Sequence, residues 1–456
     1  MTTFATVNPT NGEVIQEFTT LSDEGVAHAL ESSERAYRGW SRSSIADRAE
    51  VLRNVAGLYR QHAVELAKLT TLEMGKPITQ ARREVELAAS IYEYYANKGP
   101  ELLADEELDI AGAGRAIVRS SPIGPLLGIM PWNVPYYQVA RFVAPNLLLG
   151  NTVLIKHAPN CPQQALRIED LFDAAGAPGG VYQNLFASVD QVAIMIASPH
   201  VHGVSLTGSE RAGRAIGEIA GRHLKKCVLE LGGSDPLIVL PDADLALAAD
   251  AAADGRFNNA GQVCSSTKRL IVEGSVYDEF LDGLLDRAAE WTSGDPMSED
   301  TRLGPLSSAV AREELAAQVQ DAVDRGAVVH LGGQVPDGPG AWYPATVLSG
   351  VTPEMRAFRE ELFGPVAVLY RVGSVDEAVD LANSSEYGLG GAVFTADPAV
   401  ADDVADRLEV GMVGINTTVK SAPDLPFGGV KRSGVGRALA RFGLDEFTNK
   451  KLVRLI

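Results

Sequence analysis

Val201-His202-Gly203-Val204-Ser205-Leu206-Thr207-Gly208-Ser209-Glu210-Arg211 is the stretch that decides the fold. An apolar run ends at Leu206, a Gly-Ser turn follows, and helical apolar spacing takes over from Arg211 to Arg222. A second apolar run, Val228-Leu229, leads into Glu230-Leu231-Gly232-Gly233. Strand, helix and strand in such quick succession predict a βαβ unit and a mainly parallel sheet.

The alternation extends in both directions. Upstream lie strand-like Val153–Ile155 and Val181-Tyr182, with helices predicted over Gln163–Ala175 and Val189–Ala197. Downstream, Leu237–Leu240 precedes a helix over Ala243–Asn258. A second strand series then runs through Arg269–Val272, Val328-Val329, Val366–Leu369, Ala392–Phe394 and Val413–Ile415. Before residue 123 the pattern is helical: Ser22-Asp23-Glu24 reads as a cap, a long helix is expected over Ala46–Met74, and another over Thr79–Asn97. Two α/β domains joined near Gly232–Ser234 are the economical reading, since 456 residues exceed one ordinary core.

Bulk properties narrow the function. Hydrophobic residues make up 46% and charged residues 22%, the balance of a soluble globular chain. A formal charge of -19 excludes nucleic acid as partner, because little here can neutralise a phosphate backbone. Any anionic cofactor must be held locally, by backbone amides and a few placed cations. Three cysteines (Cys161, Cys227 and Cys264) suit neither a disulfide framework nor a thiolate metal site, and no histidine has metal spacing, so no metal is expected. No signal-like N-terminus or membrane-length apolar run is visible, so the reading is cytoplasmic with no membrane partner.

Six short segments carry chemistry. Cys264 sits in a small polar turn, Asn258-Asn259-Ala260-Gly261-Gln262-Val263, where a thiol is either a nucleophile or a spectator. Cys227, inside Lys226-Cys227-Val228-Leu229, looks more like a buried inert thiol. Glu230 is either a solvent-facing strand residue or a carboxylate whose apolar neighbours raise its pKa for general-base work. Thr207-Gly208-Ser209 with Gly213 opens a helix; it lacks the Gly-x-Gly-x-x-Gly fingerprint and fits a pyrophosphate site or a plain capped helix. Pro131-Trp132-Asn133-Val134-Pro135 holds an amide between prolines, as an oxyanion donor or a structural turn. Lys156, at a strand end, and Glu361, in Glu361-Leu362-Phe363-Gly364-Pro365, are candidates for ribose or phosphate contact.

Taken in order, these segments resemble the aldehyde dehydrogenase superfamily over essentially the whole chain. Leu72–Pro77, Pro131–Asn133, Thr207–Ser209, Leu229–Gly233, Gly261–Cys264, Glu361–Pro365 and Leu425–Gly434 carry the likeness. The resemblance implies Cys264 as nucleophile, Asn133 with the Cys264 amide as oxyanion donors, and Glu230 as the base for thioester hydrolysis. It places an NAD or NADP cofactor against Trp132, Lys156, Pro159, Gly208, Ser209, Gly213, Leu231, Glu361 and Phe363. It also implies a Rossmann-like coenzyme domain (1–103 and 122–232), a catalytic domain (233–430), and a small β oligomerisation extension (104–121 and 444–456) of a homodimer or homotetramer.

Within the superfamily the chain looks most like short bacterial succinate-semialdehyde dehydrogenases, through Gln138–Phe142, Leu154–Ala158, Gly232–Pro236 and Ser421–Pro426. In that group the residues matching Arg141 and Ser421 bind the substrate carboxylate, with Tyr137 on the tunnel wall where Trp is frequent. Ala438 stands where many relatives carry glutamate, which removes one proton-relay group. Pro159 stands where NAD-preferring relatives often have glutamate, so nothing there repels a 2′-phosphate and the balance tips slightly to NADP. An aromatic or aliphatic aldehyde is the alternative substrate, and a catalytically silent binding protein the alternative class. Acyl transfer to CoA is disfavoured, because that chemistry needs no water-activating Glu230.

Overall fold

A computed structural model describes residues 3–456. Two sheets organise the chain. The first has six strands in the order Gly434–Val435, Lys226–Glu230, Gly203–Thr207, Pro125–Ile129, Thr152–Lys156, Tyr182–Asn184. All neighbours are parallel except the short Gly434–Val435 strand, which runs antiparallel beside Lys226–Glu230. From Pro125–Ile129 the chain winds outward one way to Tyr182–Asn184, then returns to wind the other way. The strand order therefore reverses between Pro125–Ile129 and Gly203–Thr207, and a crevice forms beyond their carboxyl ends. Pro131–Asn133 and Thr207–Ser209 are the segments that leave those ends.

The second sheet has seven strands in the order Val328–Leu331, Thr346–Ser349, Val366–Val372, Thr267–Glu273, Asp235–Val239, Gly390–Phe394, Met412–Ile415. It is parallel apart from the Val328–Leu331 edge. Its central strands read Leu237-Ile238-Val239 and Leu270-Ile271-Val272, all fully buried, as expected for a sheet covered on both faces. Cys264 lies just before Thr267–Glu273, and Glu230 ends a strand of the first sheet; the two sheets meet through these termini.

A third, antiparallel sheet pairs Thr448–Leu455 with Arg115–Pro122, and that strand with Glu106–Leu108. Leu452, Leu455 and Ile456 remain exposed on it.

The expected helix over Ala46–Met74 is two helices, Ile45–Gln61 and Ala63–Met74, broken at His62 (φ -101°, ψ 15°). Apolar periodicity passes through the break because both segments bury the same side, so spacing alone does not reveal it. The helical reading of the first residues also omits a hairpin of Phe4–Val7 with Val14–Phe18. Its second strand is almost wholly exposed and carries no clear alternation. Among the described residues no helix is long and apolar enough to cross a membrane, and no cluster of His, Cys, Asp and Glu is arranged to hold a metal ion.

Candidate active site

The turn before Cys264 is built from backbone that most residues avoid. Helix Leu245–Phe257 ends, and Asn259, Ala260 and Gly261 all take left-handed φ (54°, 52° and 70°). At Gly261 a Cβ would come within 2.3 Å of the Gly364 carbonyl, so only glycine fits. Left-handed Asn259 and Ala260 each cost about 1 kcal/mol, which their surroundings must offset. Asn259 Nδ2 donates to the Asn133 carbonyl (2.9 Å), and Asn133 Nδ2 donates to the Gln262 carbonyl (3.0 Å). Arg256, fully buried, donates through Nη2 to the carbonyls of Leu362 (3.0 Å) and Gly364 and through Nη1 to Ser266 Oγ (2.8 Å). The nucleophile turn is thereby tied to both the Asn133 and the Glu361 segments.

Two cavities meet at Cys264. One, of about 350 Å³, is lined by Trp132, Asn133, Thr207, Gly208, Ser209, Leu231, Gly232, Glu361 and Phe363. The other, of about 440 Å³, is lined by Tyr137, Lys420, Ser421 and Phe427 among others. Cys264 and Gln138 are on the walls of both. This thiol is half-buried, and burial pushes it up to about 11, with Arg141 and Lys268 pulling down and Glu230 and Glu361 pushing up. It is therefore a thiol at neutral pH, and attack on a carbonyl requires a base to take its proton.

Glu230 is buried at the end of its strand, and burial raises its carboxyl to about 7 against the opposing pull of Arg141 and Arg437. Both its oxygens lack a hydrogen-bond partner among the described residues, as do Arg141 Nη1 and Gln138 Oε1. All three side chains border a small cavity of about 20 Å³ together with Arg437, Ala438 and Glu446, enough for about one water. A carboxylate that titrates near neutrality beside such a space is suited to accept a proton and pass it on.

The first cavity carries groups suited to a dinucleotide. Ser209 caps helix Glu210–Arg222 by accepting from the Ala212 amide (3.3 Å), and that helix N-terminus opens toward the crevice. A Cβ at Gly213 would lie 2.6 Å from Leu231 Cδ2, so glycine lets the helix pack close to its strand. The Trp132 and Phe363 rings meet edge-on at 5.8 Å across the cavity. The Glu361 carboxylate accepts from the Gly233 amide (3.1 Å) and faces the same space.

Lys156, Pro159 and Gly213 are not on the cavity wall. Lys156 ends the strand beside Pro125–Ile129, with its ammonium 5.6 Å from the centre of the Phe4 ring, and burial lowers it to about 8. The Pro159 carbonyl accepts from the Ala5 amide (3.0 Å), which fastens the N-terminal hairpin to this edge.

In the second cavity the Tyr137 and Ser421 hydroxyls are 2.5 Å apart. Arg141 stands behind them. Its Nη2 donates to Thr207 Oγ1 (2.8 Å), its Nη1 is 4.0 Å from Glu230, and its guanidinium lies over the Tyr137 and Phe427 rings at 5.3 and 5.0 Å. Sequence reasoning brought out neither Lys268 nor Gln138, nor the Arg437 and Glu446 pair behind Glu230. Lys268 is the second residue of a strand and follows Thr267, so it reads as an edge cation, and Gln138 is hidden in an apolar helix.

A half-buried thiol, a neighbouring carboxylate of raised pKa and a crevice at the reversal of strand order define a class: an enzyme that makes covalent acyl chemistry beside a nicotinamide cofactor. The aldehyde dehydrogenase family profile matches residues 1–453, and the chain belongs to that family. It is 55% identical to "Succinate-semialdehyde dehydrogenase [NADP(+)]" of Deinococcus radiodurans, covering 99% of this chain and 94% of that one. It is 45% identical to "Succinate semialdehyde dehydrogenase [NAD(P)+] Sad" of Escherichia coli, covering 98% and 96%. Among solved structures, the succinic semialdehyde dehydrogenase of Streptococcus pyogenes in complex with NADP+ superposes with a TM-score of 0.97 at 41% identity, covering 99% of each chain.

Proposed function

We propose that this protein oxidises succinate semialdehyde to succinate with NADP as hydride acceptor. The observation that carries the chemistry is Cys264 on the wall of two cavities at once: one suits the cofactor, the other a small aldehyde. The names of its relatives support the substrate, and Pro159 supports NADP by placing no carboxylate near a 2′-phosphate.

The chain's own residues divide the work as follows. The substrate carboxylate meets the Ser421 hydroxyl and is attracted by the charge of Arg141, whose guanidinium lies behind the Tyr137 ring and off the cavity wall. Cys264 gives up its thiol proton to solvent in the adjoining cavity, and its sulfur attacks the aldehyde carbon. The resulting oxyanion is met by the Cys264 amide and by the second N–H of Asn133 Nδ2, whose first is committed to Gln262. Bound NADP supplies the acceptor for the hydride that leaves this carbon, and a thioester remains on Cys264. Glu230 then takes a proton from water, the hydroxide adds to the thioester carbon, the C–S bond breaks, and succinate departs. Trp132, Phe363, Leu231, Gly208, Ser209 and Glu361 line the cofactor's cavity, while Lys156, Pro159 and Gly213 shape the adjoining sheet edge.

On the same reading, residues 1–103 and 122–232 form the coenzyme domain and 233–430 the catalytic domain. The 104–121 and 444–456 segments carry a homo-oligomer interface of a cytoplasmic enzyme. The exposed apolar side chains Leu452, Leu455 and Ile456 support that last point.

A steady-state panel tests the function: succinate semialdehyde, butanal and benzaldehyde, each with NAD+ and NADP+. The expected winner in kcat/KM is succinate semialdehyde with NADP+, and Cys264→Ala abolishes it. A preference for butanal or benzaldehyde would overturn the substrate.

A further inference from the structure

Lys268 lies under the nucleophile turn, between the Cys264 carbonyl and the Glu361 carboxylate, and it is 1% exposed. Its ammonium donates to two carbonyls and pairs with one carboxylate. Nζ is 2.7 Å from the Cys264 carbonyl, 3.1 Å from the Val263 carbonyl and 3.1 Å from Glu361 Oε1. A buried cation with two carbonyl bonds and a carboxylate in reach has its charge compensated.

We propose that Lys268 is a positioning residue that couples Glu361 to Cys264, by holding one compensating positive charge between the cofactor-facing carboxylate and the nucleophile. The inference rests on the preceding reading of Cys264 as nucleophile and Glu361 as a ribose-facing group. It goes beyond that reading by giving the two a shared counter-charge.

The charge balance around the thiol makes this specific. Arg141 and Lys268 favour the thiolate, whereas Glu230 and Glu361 oppose it. Asp235, on the strand beside Lys268, also feels this ammonium, as it does Arg269 and Glu361. Arg256, on the preceding helix, feels Glu361 from the other side. With Lys268 present, the pair with Glu361 is neutral as seen from the sulfur. Without it, Glu361 is an unbalanced negative charge, and forming a thiolate nearby becomes harder. Glu361 would also lose the contact that, with the Gly233 amide, aims its carboxylate at the cavity.

The test is alkylation of Cys264 by iodoacetamide from pH 7 to 9, with neither aldehyde nor cofactor, followed at the Cys264 peptide by mass spectrometry. Four variants are compared with the wild type: Lys268→Met, Lys268→Arg, Glu361→Gln and Lys268→Met/Glu361→Gln. A one-unit shift in the thiol changes the thiolate tenfold, but the more basic thiolate is the better nucleophile, so the rate changes about three- to fivefold. Glu361→Gln is expected to react faster than wild type by about that factor, and Lys268→Met slower by it. The double variant and Lys268→Arg should fall within about twofold of wild type. A merely structural lysine would not give this order, because both neutral variants would then be slowed or unaffected.

Wild-type reactivity in Lys268→Met overturns the coupling, as does a double variant as slow as Lys268→Met. If Lys268→Met does not fold, a Glu361→Gln rate no faster than wild type overturns it instead. Because the assay needs no turnover, failure of the functional reading shows separately, as absence of NADPH from succinate semialdehyde.

Discussion

Arg141 Nη1 and Glu230 Oε2 lie 4.0 Å apart, with both side chains buried. The guanidinium thus faces the proposed base for hydrolysis while it lies over two rings, Tyr137 and Phe427, of the substrate cavity wall. Removing it has two separable consequences. Arg141→Ala should raise KM for succinate semialdehyde by about tenfold, the loss of one positive charge just behind the cavity wall, and raise KM for butanal far less. It should also move Glu230 upward, since Arg141 is the first influence that lowers it. The pH at which hydrolysis reaches half its maximum then rises. Equal KM effects on both aldehydes would remove the attraction for the substrate carboxylate, and an unmoved pH midpoint would remove the influence on Glu230.

Glu230 predicts the pH dependence directly. Burial raises it to about 7, and only the carboxylate can accept a proton from water. Hydrolysis is therefore slow below that value, rises through it and levels above. Glu230→Gln keeps the shape but not the base. It should release one NADPH per active site in a burst, then turn over about a hundredfold more slowly or worse, without the midpoint near neutrality. Rapid-mixing absorbance at 340 nm, the NADPH band, reads both. Full steady-state turnover without a burst would show that another group activates the water.

The βαβ alternation was readable because strand and helix periods differ over runs of five to thirteen residues in the first sheet. Cys264, Glu230 and Asn133 stand out in the sequence for a related reason, since glycines or prolines within three residues of each mark turns. The break at His62 was not readable, since it interrupts no apolar period. Lys268 and Arg256 were hidden for a different reason. Each is a cation whose partners are mostly carbonyls, and every residue carries a carbonyl whatever its side chain. Arg141 was visible as a cation near the tunnel, but its approach to Glu230 depends on the pairing of Thr207 with Glu230 across two strands.

Arg256 tests how firmly the nucleophile turn is held. Its Nη2 meets the Leu362 and Gly364 carbonyls and its Nη1 meets Ser266, and burial lowers its guanidinium to about 9. Arg256→Met would strand those acceptors in an apolar site, so the protein should lose about 3 kcal/mol in urea unfolding. Arg256→Lys should recover only part of it, because one ammonium cannot reproduce the planar fork. A loss below about 1 kcal/mol would mean that water or a rearranged turn satisfies the carbonyls.

Pro159 offers the last prediction, on cofactor choice. It lies three residues beyond Lys156, in the turn after the strand Thr152–Lys156, and its carbonyl is fixed by the Ala5 amide. Pro159→Glu leaves that carbonyl in place and adds a carboxylate beside the lysine. A ribose 2′-hydroxyl can donate to such a group, whereas a 2′-phosphate is repelled by it. The variant should raise KM for NADP+ by about tenfold or more and leave that for NAD+ equal or lower, with little change in kcat for either. High salt should narrow the difference, because the repulsion is electrostatic and screened. Equal losses with both cofactors would instead mean that the substitution disturbs the turn and the Ala5 contact, and that the 2′-phosphate lies elsewhere.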